Sequence, residues 1–452
     1  MKRLLSAFWK SPEKPQAQPK RRVHLGIDYG TSASKIVFRD YGAPGGERAI
    51  LVLSGGSMRI PSSVCISGEK LEFGATTAPP NRGVVYESIK MRVAVEATGR
   101  STYYFGPATP LPDRLNAYDL AVLTVWYLIS EGHRAVDQYL RGNMENVRLG
   151  MTMGVPMAFF DDQVLRSRFL SIARKAWLLY REEGLLGCTI QIEKARGALD
   201  KFPADSISTT PDDQVRDWLR SEGEAAMWWP FQSPAVGPGP YAKIDIGAGT
   251  THASLYRIYG DANTPKTGMA FFGASTVSVG MDAVDQAIAR CIGHTGDCLS
   301  LRGKEQSILG GTIKAQNGIA DVRDAIYHAY RRSWIQTYQK IGEFVAEKTA
   351  WNNHKIFMIG GGSLVPLLVD PMRVHPGVGD RVSLALLEPP PDLAQADGQK
   401  VTAAQLPFAA VAYGLANIGL SIPEALTPAQ VAPMPLNSAR RVNLEREDIY
   451  AK

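Results

Sequence analysis

Two short stretches of this 452-residue chain have the residue types and spacing for chemistry: Asp28-Tyr-Gly-Thr-Ser-Ala-Ser-Lys35 and Asp245-Ile-Gly-Ala-Gly-Thr-Thr-His252. Each places an aspartate after an apolar run, then small residues, then hydroxyls. Small residues in a turn between strands let several main-chain N–H groups converge on an anion, which suits nucleotide phosphates. The expected contacts are Gly30, Thr31 and Ser32 in the first turn and Gly247, Gly249, Thr250 and Thr251 in the second. Asp28 and Asp245 are expected to hold a hydrated Mg2+, a hard cation that takes carboxylate and water oxygens. One Asp-x-Gly turn alone is an ordinary Asx turn; its recurrence points to a ligand. A third stretch, Lys355-Ile-Phe-Met-Ile-Gly-Gly-Gly-Ser-Leu-Val-Pro366, ends an apolar run in Gly360, Gly361 and Gly362, with Ser363 opening a helix. Three glycines allow close approach of a flat ligand such as adenosine.

The elements that must position these turns read as α/β. Runs such as VHLGID and KIVFRD have strand character. Helical periodicity is clearest in DDQVLRSRFLSIARKAWLLYREE, capped by Asp161 or Asp162, and again from about 320 to 349. Segments between 200 and 240 rich in Pro and Gly, including PFQSPAVGPGP, read as surface loops. Because each aspartate turn lies between two apolar runs, the chain is expected to contain a duplicated unit whose turns face one another.

The whole net charge of +6 lies within residues 1–22, leaving a neutral body without the basic face that nucleic acids require. Residues 1–10, MKRLLSAFWK, form an amphipathic turn followed by a Pro-rich spacer. It reads as a peripheral anchor on an anionic membrane, as a disordered leader, or as a docking peptide. No apolar run is long enough to span a bilayer, and no secretory signal is present, so the expected location is the cytosol, with peripheral contact at the inner membrane face through residues 1–10. Cys65, Cys188, Cys291 and Cys298 show neither a CxxC pair nor a histidine cluster, and reduced thiols are expected.

With its three glycine-rich elements in this order, the chain resembles the superfamily of actin, the DnaK-type heat-shock chaperones and the sugar kinases. GIDYGTSASK is similar to its first phosphate loop, DIGAGTTH to its second and IGGGSLVP to its adenosine loop. The DnaK-type branch is most similar. RIPSSVCISGEKLEFG resembles the strand pair after that branch's first loop, ESIKMRV its lysine segment, GVPMAFFDDQ its strand-to-helix step, and AVAYGLA its closing hinge helix. The resemblance implies a two-lobed, actin-like ATPase fold with duplicated ribonuclease-H-like subdomains. Residues 1–22 would be leader and linker, 23–195 the first lobe, 196–420 the second and 421–452 a Pro-rich tail.

Carried over residue by residue, the resemblance makes Lys90 a γ-phosphate lysine and Lys35 a second phosphate lysine, as in actin and ParM-like proteins. Ser221-Glu-Gly-Glu-Ala-Ala226 looks like the chaperones' Glu-Pro-x-Ala-Ala stretch, so Glu222 would orient or deprotonate the attacking water, with Glu224 as the alternative. Lys304 and Glu305 would touch adenine. His252 stands where the chaperones carry an aspartate, and Leu364 where they carry an arginine. Only 38 residues follow Gly414, too few for a peptide-binding domain and lid. The implied activity is Mg2+-dependent, slow ATP hydrolysis serving as a conformational switch through a protein partner. An ATP-driven filament is the alternative. A small-molecule kinase would need an aspartate base, and His252-Ala-Ser follows the second loop instead.

Overall fold

The computed structural model describes residues 21–75, 83–100, 110–111, 115–203, 217–260, 266–277, 279–293, 313–341, 350–351, 354–365, 368, 383–385, 388–418 and 425–431. The peptide 1–10, Lys304, Glu305, Cys298 and the chain beyond 431 lie outside these residues.

Along the chain, β1 (Arg21–Asp28), β2 (Ala33–Asp40) and β3 (Arg48–Leu51) form an antiparallel meander. The first strand takes in Arg21 and Arg22, which the expected boundary at residue 22 leaves in the linker. There follow β4 (Ile60–Pro61), β5 (Val64–Ser67), β6 (Lys70–Phe73), β7 (Val84–Tyr86), α1 (Ile89–Thr98), α2 (Ala117–Tyr139) and β8 (Val147–Val155). The next group is α3 (Met157–Asp161), α4 (Gln163–Glu183), β9 (Thr189–Gln191), α5 (Ile192–Asp200), β10 (Leu219–Ser221) and α6 (Glu222–Gln232). A second meander, β11 (Gly239–Ile246), β12 (Thr251–Tyr259) and β13 (Gly268–Val277), leads to α7 (Met281–Ile292) and α8 (Ile313–Ile341). The chain then supplies β14 (Lys355–Ile359), β15 (Ser383–Ala385), β16 (Leu393–Gln395), α9 (Leu406–Leu415) and β17 (Ala425–Leu426).

The protein is mixed α/β with three sheets among the described residues. Two of them repeat one plan. The first runs β10-β8-β1-β2-β3-β16, with β4 beside β2, and the second runs β15-β14-β11-β12-β13-β17. In both, the first strand of the meander pairs parallel with a later strand, and the third pairs parallel with a short return strand. β5 to β7 and β9 make a separate antiparallel sheet. Sheet membership does not break at residue 195: β10 and β16 both complete the first sheet.

Strand alternation sorts the side chains into separate cores. Val23, Leu25 and Ile27 face one large core with α2 and α4, while Ala242, Ile244 and Ile246 face a second with α7 and α8. A third core lies between the sheets, joining Val37 and Leu51 to Tyr241, Tyr256 and Phe271 through α6 and α9. Asp162 caps α4, its carboxylate accepting from the amides of Val164 (3.0 Å) and Leu165 (3.2 Å). The loop expected from Pro230 onward is shorter than its composition suggests, because α6 continues through Pro230 to Gln232. Ser363 sits in a single 3-10 turn, Gly361–Leu364, rather than opening a longer helix. No helix among the described residues is long and apolar enough to cross a membrane.

Candidate functional site

The two aspartate turns are equivalent in register. Asp28 pairs with Lys35 across β1 and β2, and Asp245 pairs with His252 across β11 and β12. They also meet: a methyl group built on Gly249 would lie 3.4 Å from Thr31 Cγ2 and 3.5 Å from Asp282 Oδ2. Within the second turn the Gly247 amide donates to the Thr250 carbonyl at 2.9 Å. The first amides of α7, from Met281 and Asp282, donate back to the carbonyls of Gly247 (3.0 Å) and Ala248 (2.8 Å), which docks that helix on the turn. Among the described residues, the main-chain amides of Thr31, Ser32, Ala248 and Gly249 find no acceptor. Main-chain donors without an acceptor, in two turns that touch, are groups of the kind that can hold an anion.

Charged side chains lie beside these turns. Lys35 Nζ donates to Asp28 Oδ2 at 3.1 Å, so it turns inward rather than to solvent. Lys90, on the first turn of α1, is buried; its ammonium donates to the Tyr29 carbonyl at 2.7 Å and forms an ion pair with Glu222. Ser88, in left-handed backbone at φ 54°, turns the chain into α1 just before this lysine. Glu222 is the first residue of α6, immediately after β10. Ser221 caps the helix, its hydroxyl accepting from the Gly223 amide at 3.1 Å, and Gly154 of β8 leaves the space that the Glu222 side chain fills. Glu222, not Glu224, is therefore the carboxylate that Lys90 holds.

Asp245 is at the end of β11 on the face toward the inner core. Burial raises its carboxyl above the ordinary range; Lys243 opposes this, and Asp28 adds to it. Lys243 Nζ is 3.9 Å from Asp245 Oδ2. The sequence reading overlooked this lysine, although one charged residue in the strand Tyr-Ala-Lys-Ile-Asp-Ile, two before Asp245, shares a face with it by the strand period. Burial lowers its proton affinity, against the pull of Asp245, Glu222 and Asp28. His252 stays neutral: burial brings its pKa down to about 4, and its two ring nitrogens lie 3.2 Å from Thr250 Oγ1 and 2.7 Å from Thr276 Oγ1. A pocket beside these groups is lined by Met157, Glu222, Lys243, His252, Ser254 and Thr276.

The remaining expected residues divide. Gly360, at φ 77°, follows β14 and presses so close to the Ile246 carbonyl and Asp245 Oδ1 that no side chain fits there; its amide donates to the Pro407 carbonyl at 3.1 Å. Gly361 and Gly362 are likewise filled, against Phe408 and Ile246, so the glycine turn abuts the second aspartate turn and the start of α9. Ser363 Oγ donates to the Gly360 carbonyl at 2.7 Å, closing the turn. Thr251 was expected to offer its hydroxyl to phosphate; instead it is fully buried and donates to the Val279 carbonyl at 2.7 Å.

Hard oxygen donors suit Mg2+, and Asp28 and Asp245 supply two, with the hydroxyls of Thr31 and Thr250 in the same turns. Among the described residues no cluster of three or more His, Cys, Asp or Glu side chains could enclose a metal. Two strand-end carboxylates are a donor set of the kind used by a hard cation that keeps most of its own waters. Among the described residues, Cys65 is a buried free cysteine and Cys188 an exposed one. Compared with known proteins, the chain matches no protein-family model and no curated protein sequence.

Proposed function

We infer that the chain binds ATP between two actin-like lobes, each built on a ribonuclease-H-like sheet, and hydrolyses it slowly as a conformational switch. The observation that carries this reading is the pair of touching aspartate turns with four main-chain amides open to an anion. The matched order of the two large sheets supports the duplicated architecture. Bound Mg2+, held through water by Asp28 and Asp245, would neutralise phosphate charge. The amides of both turns and Lys35 hold the phosphates. Lys90 turns from Glu222 to the terminal phosphate, and Glu222 orients the attacking water, so catalysis is positioning and electrostatics without a covalent intermediate. Contacts to the terminal phosphate from both turns tie the two sheets together, and their loss on hydrolysis relaxes the pair.

The test is ATP hydrolysis with Mg2+ by wild type, Asp28→Ala and Glu222→Gln, with light scattering followed in the same samples. Glu222→Gln keeps the hydrogen bond to Lys90 and should retain nucleotide binding while slowing turnover by about 10²-fold or more. Asp28→Ala should lose Mg2+-dependent turnover. Unchanged turnover in Glu222→Gln would remove that residue from the mechanism. Scattering that rises with ATP and not with ADP would replace the partner-coupled switch with a filament.

A further inference from the structure

Lys243 has no task in the hydrolysis set out above, yet the fold buries it at the site. It lies on the inner face of β11, two residues before Asp245. The position equivalent to it in the first sheet is Gly26, two before Asp28, where the missing side chain admits the backbone of α9 at Ala412 and Ala416. The second sheet carries an ammonium group at that place. The residue is 2% exposed, and among the described residues its Nζ donates no hydrogen bond; Asp245 Oδ2, at 3.9 Å, is beyond hydrogen-bond reach. A methyl group built on Gly223 would lie 3.8 Å from that Nζ, so the ammonium stands beside the residue that follows Glu222. Lys243 and Glu222 also line the same pocket. A buried ammonium without hydrogen bonds is costly, and a carboxylate within reach offsets the cost.

Lys90 is engaged twice over. It holds Glu222 and the Tyr29 carbonyl now, and the hydrolysis requires it at the terminal phosphate. Once it turns away, the Glu222 carboxylate is left buried without its cation. We propose that Lys243 is a positioning residue that takes over Glu222 when Lys90 moves to the phosphate, anchoring the carboxylate where it orients water. This rests on the ATPase reading and assigns that reaction a residue; no covalent bond is made or broken by Lys243.

Single-turnover ATP hydrolysis and nucleotide affinity would be measured for wild type, Lys243→Met, Lys243→Arg, Glu222→Gln and the double variant Lys243→Met with Glu222→Gln. Lys243→Met should slow hydrolysis about tenfold to a hundredfold, part of the factor that a positioned base supplies, with affinity within about threefold of wild type. Lys243→Arg should recover most of the rate, and Lys243→Met should cost nothing further once Glu222 is Gln. Equal losses in both backgrounds, or affinity falling in step with rate, would assign Lys243 a structural role and overturn the proposal. Should Lys243→Met lose its urea transition, Lys243→Gln takes its place with the same expectations. Wild type that binds ATP without turnover overturns the ATPase reading, and this proposal with it; wild-type turnover with additive losses overturns the proposal alone.

Discussion

His24 and His252 are both held neutral by burial, with pKa values brought down to about 3 and about 4 from 6.5. In the unfolded chain each takes a proton near pH 6.5, while the folded chain refuses it down to those lower values. The cost of these two histidines to stability is therefore absent above about pH 6.5 and grows as the pH drops toward 4, by roughly 1.4 kcal/mol per pH unit for each. Urea midpoints between pH 7 and 4 check this, and His24→Asn should flatten the slope; an unchanged slope would exclude His24 as a source. At this scale the sequence was informative where residue types recur. The Asp28–Lys35 and Asp245–His252 spacings match, and the strand register matches with them. Sequence alone does not separate a surface charge from a buried cation at Lys90, because a lysine at the start of a helix reads the same either way; the Glu222 carboxylate, brought from a distant element, decides that it is buried and paired. Lys243 is legible as a charge inside an apolar strand, but the strand period shows only which face it takes and not that Glu222 of a distant element lines the same pocket.

Helices α6 and α9 cross at Gly414, where any side chain would fall within the van der Waals radius of the Ala225 carbonyl. α9 also lies on β1 at Gly26, so small residues set the closeness of two layers. Gly414→Val should force the helices apart and move the start of α6, which carries Glu222. The expected cost is about 3 kcal/mol or more, read as a lower urea midpoint, together with slower hydrolysis. A variant as stable as wild type would show that the two helices do not meet there. The sequence stretch AVAYGLA suggested a helix, and α9 is one. What pattern alone does not contain is its partner. Apolar residues all around a helix say that it is covered, not by what. β16 is harder still, since Leu-Ala-Gln has no strand periodicity, and its parallel pairing with β3 depends on contacts remote in the chain.

For the whole molecule, the return of residues 388–418 to the first sheet is the principal long-range feature. Arg39 of β2 pairs with Asp392 at 2.7 Å and stacks over the Tyr413 ring at 5.1 Å, while the Tyr413 hydroxyl donates to Asp392 at 2.9 Å. These contacts tie strand, return segment and helix together in a largely buried cluster. A chain stopped after Ala385 should lose the cooperative urea transition, because Val37, Leu51 and Gly26 would face water where α9 and β16 now lie. A full-strength transition in that truncated chain would show that the first sheet closes without them. The same return has a consequence for synthesis. A ribosome adding about 5–20 residues per second has long since released β1 to β3 when it reaches α9. Until then the nascent first sheet keeps part of one apolar face uncovered, so its completion waits for residues 388–418, more than 300 residues after β3 has been made.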